Sequence, residues 1–120
     1  MKLLETTSFL LNEAEQCISR FEKMREEDHS PDFFNEVKPH VNEVDSILDA
    51  WVEESGQYIQ NNRPKYLHPS QIQAVQEGMK QFVVQSFYKE TSKKRFYQSV
   101  HAVLYTLKTM QTELEGTVDE

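Results

Sequence analysis

The residues of this chain that could do chemistry are few and scattered. Its single cysteine is Cys17, and its four histidines are His29, His40, His68 and His101. Glu36 and His40 lie four apart, on one face of a helix, but one such pair is a weak metal signal. We predict solvated or edge-packed histidines that hold no metal.

Two further groups were considered as catalytic residues. Cys17 falls on the inward line of the first predicted helix, where a free cysteine acts as a small hydrophobe with an unactivated thiol. Arg95 and His101 have the Arg-x5-His spacing found in some helical-bundle ribonucleases. Residues six apart point about 120° apart on a helix, so this pair would need a second chain to form a site. We assign no catalytic residue and keep a nuclease as a third interpretation.

The composition predicts long helices joined by few loops. The 120 residues include only three glycines and four prolines, which is typical of an all-α domain. Apolar residues recur at spacings of three and four over about 3–26, along a stripe starting at Phe34, after Pro69, and from Phe96. We predict one domain over residues 1–120, an antiparallel up-down-up-down four-helix bundle, with a tail that frays after about residue 116.

The second helix should be long and kinked. Ser30 is a good N-cap, and Pro31 and Asp32 suit the first turn. Pro39 interrupts the stripe that runs from Phe34 to Tyr58, yet the stripe stays in register on both sides. We therefore predict one helix with a kink near Pro39.

The bundle should hold no metal cofactor. A di-iron or di-manganese centre needs inward carboxylates and paired Glu-x-x-His motifs, and the chain lacks such a pair. The inward positions of the predicted helices are apolar apart from Thr7, Ser55 and Ser86. No glycine-rich loop is available to hold a phosphate, so we expect no cofactor.

The net charge, the longest uncharged run and the cysteine count limit the kinds of partner and the compartment that we expect. The net charge is −7, which disfavours general binding to nucleic acid, because phosphate backbones reward Lys and Arg. The longest run without Asp, Glu, Lys or Arg is residues 96–107, too short to cross a bilayer. A single cysteine suits a reducing compartment. We predict a cytoplasmic protein without a membrane anchor, either a monomer or a weak homodimer.

Two segments resist a purely structural explanation. The first is the loop of residues 61–69, which Pro64 and Pro69 stiffen, so that its side chains would lose little entropy on binding. The simpler explanation of this loop is that Tyr66 and Leu67 cap the open end of the core. Tyr and Arg are enriched at binding hot spots. The residues that we predict to contact a partner protein are Arg63, Lys65, Tyr66 and His68.

The second segment is the basic start of the fourth helix. Cations are disfavoured at a helix N-terminus, whereas an anion is bound well there. Screening by the acidic residues 26–28, at the same end of an up-down bundle, is the simpler explanation. The predicted anion-binding residues are Ser92, Lys93, Lys94 and Arg95.

The same stretches carry a resemblance to a known family. They are Asp32-Phe33-Phe34 with Lys38-Pro39, Arg63-Pro64-Lys65-Tyr66 followed by His68 and Gln71-Ile72, Gln85-Ser86, Lys93-Lys94-Arg95-Phe96, and Val103-Leu104-Tyr105-Thr106-Leu107. With these the whole chain resembles the YppE-like family, small proteins of Bacillus-type bacteria with a domain of unknown function. The resemblance implies a compact cytoplasmic helical bundle and brings no activity, cofactor, partner or functional residue.

The expected function is therefore a non-enzymatic one. We predict a small cytosolic interaction or adaptor module that docks another protein through the loop around Arg63 to Tyr66. The alternative is a small bundle that binds an anion or another small ligand, through the cluster from Lys93 to Arg95.

Overall fold

Four helices account for most of the chain. The structure, a computed structural model, describes the backbone of residues 2–119 and the side chains of residues 2–116. The helices are α1 (Lys2–Glu26), α2 (Lys38–Asn62), α3 (Pro69–Gln85) and α4 (Lys93–Asp119). Within residues 2–119 there is no β-strand. Fraying of the chain after about residue 116 stays a prediction.

The helices form the predicted up-down-up-down bundle. Each packs against the next in the chain, and α4 closes the ring against α1. The antiparallel order of α1 and α4 is visible in two side-chain pairs. Tyr97, near the start of α4, donates a hydrogen bond to Glu22, near the end of α1, at 2.8 Å. Gln111, near the end of α4, donates to Ser8, near the start of α1, at 3.3 Å.

The helical period predicted the core well. The central positions of the predicted apolar stripes are buried: Leu10, Cys17 and Phe21 of α1, Val44, Leu48 and Trp51 of α2, Met79 and Phe82 of α3, and Val100 and Leu107 of α4. Residues at the edges of these stripes, such as Leu4, Ile18 and Val41, are half-buried. Thr7, Ser55 and Ser86, the expected inward polar residues, are fully buried as well. The Trp51 indole N–H donates to Thr7 Oγ1 at 2.9 Å, so a buried donor finds its partner inside the core.

The segment before α2 differs from the prediction. Residues Phe33–Val37 form a π-helical turn that continues directly into α2, and Pro39 lies in the first turn of α2. The N–H groups of Val37 and Lys38 donate to carbonyls five residues back, at Asp32 and Phe33. This wider turn makes room for the Pro39 ring, which would clash with a carbonyl four residues earlier. The irregularity expected near Pro39 is therefore a π turn.

The π turn also corrects two residue assignments. Asp32, not Ser30, is the N-cap: its carboxylate accepts from the N–H groups of Phe34 and Asn35, at 3.1 and 3.2 Å. Hydrogen bonds from Asn35 hold the pKa of the Asp32 carboxyl below its ordinary value. Phe34, predicted to point inward, is 72% exposed, because the extra residue in the turn rotates the preceding side chains out of the α-helical register.

Two links meet at one end of the bundle, as the charge pattern indicated. Lys89, in the α3–α4 link, forms an ion pair with Asp28, in the α1–α2 link. This pairing raises the pKa of Lys89 and lowers that of Asp28. Arg25 donates to the carbonyl of Lys89 at 3.1 Å. The α2–α3 loop lies at the opposite end of a molecule 48 Å long.

Within residues 2–119, no helix has the length and apolar character needed to cross a membrane.

Candidate functional site

A groove lined by tyrosines lies at the α2–α3 loop end. It measures about 770 Å³ and runs between Tyr66 of the loop and the last turns of α4. From α4 it is lined by Tyr105, Lys108, Thr109, Thr112, Glu113 and Gly116. These positions recur every three or four residues and therefore share one face of the helix.

Both tyrosines that border the groove are unusually exposed. Tyr66 is 67% and Tyr105 is 70% exposed. Glu113, at one wall, accepts a hydrogen bond from the Tyr58 hydroxyl at 2.9 Å, which fixes that wall to α2. The groove thus combines aromatic surface, hydroxyl groups and one lysine, a composition typical of surfaces that bind other proteins.

The loop residues predicted to contact a partner divide into two groups. Arg63 and Lys65 are exposed, and the Lys65 ammonium lies 5.5 Å from the centre of the Tyr66 ring. Arg63 ends α2 in the left-handed conformation, with φ of 47°. His68, although exposed, is the residue before α3, and its backbone N–H donates to Gln71 Oε1 at 2.7 Å. Tyr66 alone of the four lines the groove.

The loop is anchored from below by Leu67, which is 2% exposed. The chain therefore turns one side chain into the core and the next, Tyr66, outward. The partners of Tyr66 in the groove come from the final turns of α4, which sequence reasoning missed. The place of Tyr105 opposite Tyr66, 39 residues earlier in the chain, depends on the packing of α4, for which the sequence gives no direct signal.

The predicted anion-binding residues do not converge on one point. Ser92 and Arg95 line a polar cavity of about 400 Å³ between α3 and α4, together with Gln81, Gln85, Thr91, Gln98 and Ser99. Lys93 turns away, with its ammonium 5.9 Å from the centre of the Tyr97 ring. Lys94 is exposed and lines no described cavity. The structure brings Ser92 and Arg95 together and separates them from Lys93.

The Arg95–His101 pair forms no common site within one chain. Arg95 faces α3 across the polar cavity, whereas the His101 ring stacks on Tyr97 at 6.4 Å. Tyr97 in turn packs edge-on against Phe21 of α1. The two side chains therefore lie on different sides of α4.

A second polar arrangement, missed from the sequence, lies inside the bundle. Glu13 is only 5% exposed, and its Oε2 accepts from Arg20 Nη1 at 3.2 Å. His40 Nε2 approaches the same oxygen at 2.8 Å, a distance that requires the ring N–H to donate. Arg20 Nη1 also donates to Ser86 Oγ at 2.9 Å. Glu13 thereby connects α1 to α2 through His40, and Arg20 connects α1 to the end of α3 through Ser86.

This network is built to be satisfied within the protein. Arg20 lies 4.6 Å above the Phe87 ring, and the Ser86 hydroxyl donates to the Val83 carbonyl at 2.7 Å. Burial, and then the Glu13 carboxylate, raise the pKa of the adjacent Cys17 thiol to about 12. Such a thiol is not a nucleophile at neutral pH. Among the described residues, no group of three or more His, Cys, Asp or Glu is placed to hold a metal ion.

The sequence did contain a signal for this network. Glu13 and Arg20 are seven residues apart and so share a face of α1, at the border of its apolar stripe. His40 was predicted to be solvated or edge-packed, and it is an edge residue with a 30% exposed side chain. Its partner on α1 follows only from the packing of the two helices.

The chain is similar to bacterial proteins that have this fold. The family model described as "Bacterial domain of unknown function (DUF1798)" matches residues 7–114. The uncharacterised protein YppE of Bacillus subtilis is 38% identical over 112 residues, which are 93% of this chain and 91% of that protein.

Solved structures of such proteins superpose closely on this one. The crystal structure of Bacillus subtilis YppE has a TM-score of 0.94 at 36% identity, covering 98% of this chain and 96% of that one. A Listeria innocua protein of unknown function has a TM-score of 0.95 at 26% identity, covering 100% and 96%. Because the family model spans nearly the whole chain and the relative is well above 30% identical, the chain belongs to this bacterial family of unknown function, DUF1798.

Proposed function

We propose that the protein is a non-enzymatic interaction module of the bacterial cytoplasm, which docks a partner protein in the tyrosine groove. The observation that carries this proposal is the pair Tyr66 and Tyr105, both about two-thirds exposed and both lining one groove. Tyrosine supplies a large contact area with few rotatable bonds, so that little conformational entropy is lost on binding. The buried free thiol of Cys17 suits a reducing compartment.

The wall residues support a peptide-like partner segment. The groove offers hydroxyl groups from Thr109 and Thr112 for hydrogen bonds and the Lys108 ammonium for a carboxylate. Glu113 is already engaged by Tyr58. Arg63 and Lys65 add positive charge beside Tyr66. The groove therefore suits a segment that carries an apolar side chain and at least one acidic group.

Photo-crosslinking in the native host tests the proposal. The photoreactive residue p-benzoylphenylalanine is placed at position 105 in one strain and at the exposed position of Gln73, on α3, in a control strain. We expect one partner to be cross-linked from position 105 alone, and the adduct to disappear when Tyr66→Ala is added. Equal adducts from both positions, or none from position 105, would contradict the proposal.

Anion binding at the start of α4 is the second candidate. It is favoured by the polar cavity that Ser92 and Arg95 line, since every residue around it carries a hydrogen-bonding group. The free N–H groups of the first turn add positive potential. Titrating phosphate while following backbone amide shifts tests this candidate, with Arg95→Gln as the control. The absence of any shift at residues 91–95 would refute it.

A further inference from the structure

The end of the bundle opposite the tyrosine groove is divided into an acidic and a basic half. Glu26 and Glu27 are exposed at the end of α1, and Lys94 and Arg95 are exposed at the start of α4. Among the described side chains, none of these four has a hydrogen bond or an ion pair. Asp28 and Lys89 pair across the boundary between the halves. Counting Lys23, Glu90 and Lys93 as well, unpaired acids outnumber unpaired bases among the described residues of the first half, and unpaired bases outnumber unpaired acids among those of the second.

The same end presents an apolar projection. Phe33 is 47% and Phe34 is 72% exposed, and the rings pack edge to face with centroids 5.3 Å apart. Asp32 caps the turn that carries them, and Glu36 Oε1 accepts from the Asp32 N–H at 3.0 Å. The turn is thereby fixed from both sides. Large apolar side chains exposed together on a rigid element are typical of an interaction surface.

We propose that this end binds the same end of a second copy, in a two-fold symmetric dimer that extends the bundle lengthwise. The helices occupy the four corners of the end in chain order. The two-fold axis is perpendicular to the long axis of the bundle and runs along the boundary between the two halves. Rotation about it places the end of α1 against the start of α4 of the other copy, and the π turn against the α3–α4 link of the other copy. Glu26 and Glu27 of each copy then face Lys94 and Arg95 of the other, twice over.

A second copy fits this surface because the surface is complementary to itself. An acidic or a basic partner would match only one half and would meet like charge on the other, which is unfavourable. The two-fold arrangement pairs both halves at once. It also covers the phenylalanines with the polar and aromatic α3–α4 link, where Tyr88 is half-buried.

The available area indicates a weak dimer. The bundle measures 26 × 24 Å across, so one end offers about 600 Å² per copy and about 1,200 Å² per dimer, the lower limit for a specific interface. We therefore expect a dissociation constant between about 10 µM and about 1 mM. Because exposed charges contribute, dimerisation should weaken as salt is raised from about 0.05 to about 0.5 M.

Charge reversal with sedimentation equilibrium tests the proposal. One variant carries Glu26→Lys and Glu27→Lys, and the other carries Lys94→Glu and Arg95→Glu. Each places like charges against each other in the proposed dimer, so each alone should have a dissociation constant raised at least tenfold, on the order of 1.4 kcal/mol. An equimolar mixture of the two should form a heterodimer, because acid then faces base at both contacts.

The heterodimer distinguishes a lost interface from a damaged fold, and circular dichroism checks the folding of each variant. Phe34→Ser should weaken dimerisation of the otherwise unchanged chain by at least about tenfold. Lys65→Glu with Lys108→Glu, which reverses two charges at the other end, should leave it unchanged. An unchanged chain that stays monomeric at about 1 mM, or a mixture that stays monomeric, would overturn the proposal. The tyrosine groove lies at the opposite end, so the docking proposal would be unaffected.

Discussion

Removing Arg20 should reveal how much the buried network contributes to stability. Arg20→Met keeps the length and packing of the side chain but leaves the 5% exposed Glu13 carboxylate without its cation. Removing one partner of a buried ion pair costs about 3–5 kcal/mol. Here Arg20 is 20% exposed and His40 Nε2 still donates to Glu13 at 2.8 Å, so we expect a cost at or below the lower limit of that range, about 2–3 kcal/mol.

Urea denaturation measures the effect, followed by the fluorescence of Trp51, the only tryptophan. For a chain of this size, a loss of about 2–3 kcal/mol lowers the melting temperature by about 10 °C. The slope of the transition should be unchanged, because the same surface is exposed on unfolding. Lys23→Met, at an exposed position of the same helix, is the matched control and should stay within about 0.5 kcal/mol of the original.

A double-mutant cycle identifies the cause. Glu13→Gln removes the carboxylate charge that Arg20 neutralises. The double variant Glu13→Gln/Arg20→Met should therefore be more stable than the sum of the two single changes predicts, by at least about 1 kcal/mol. Strict additivity, or a cost below about 0.5 kcal/mol for Arg20→Met, would refute the claim that these residues stabilise the bundle as a pair.

Two further predictions concern glycines inside the helices and the buried cysteine. A Cβ at Gly56 meets nothing within 4 Å, so Gly56→Ala should stabilise the protein by about 0.5–1 kcal/mol. A Cβ at Gly78 lies 3.0 Å from Val103 Cγ2, so Gly78→Ala should give a smaller gain or destabilise the protein. Thermal denaturation measures both changes, and equal gains would contradict the close approach of α3 and α4. Because burial raises the pKa of Cys17 from 9.0 to about 12, the unfolded chain loses the thiol proton first, and stability should fall between pH 9 and 12 by up to about 1.4 kcal/mol per pH unit. Cys17→Ala should flatten this dependence of stability on pH. Iodoacetamide at pH 8 should label the thiol only in denaturant, and rapid labelling of the folded protein would argue against burial.

The regular part of the fold could be predicted because burial follows the helical period. Positions such as Leu10, Phe82 and Leu107 repeat at spacings of three and four, and each is fully buried. The pairing of Asp28 with Lys89 was foreseeable as well, because opposite charges in two links indicate that the links share an end. Such features depend on local sequence and on chain order alone.

The features that escaped prediction depend on how the helices pack. The sequence pattern places Phe34 in the core only if the α-helical spacing of apolar residues holds through residues 33–37, and this turn is not α-helical. Glu13 interrupts an apolar stripe, and it is buried only because Arg20 and His40 reach it from two helices. Tyr66 could be identified from the composition of its loop. Lys108 and Thr112, which complete the groove, lie more than 40 positions later in the chain, and only the path of α4 brings them near Tyr66.

The π turn makes the exposure of Phe33 and Phe34 depend on the length of the chain at this point. An extra residue in the turn of residues 33–37 is what rotates Phe33 and Phe34 toward solvent while Val37 remains buried. In a relative shorter by one residue at this point, the turn would close as ordinary α-helix, and the preceding aromatic residue would move onto the inner face. A single-codon deletion would thus withdraw one of the two rings from the surface and add it to the inner face of the helix. Length differences at this position in an alignment should accordingly divide the relatives into those that present the aromatic pair and those that do not.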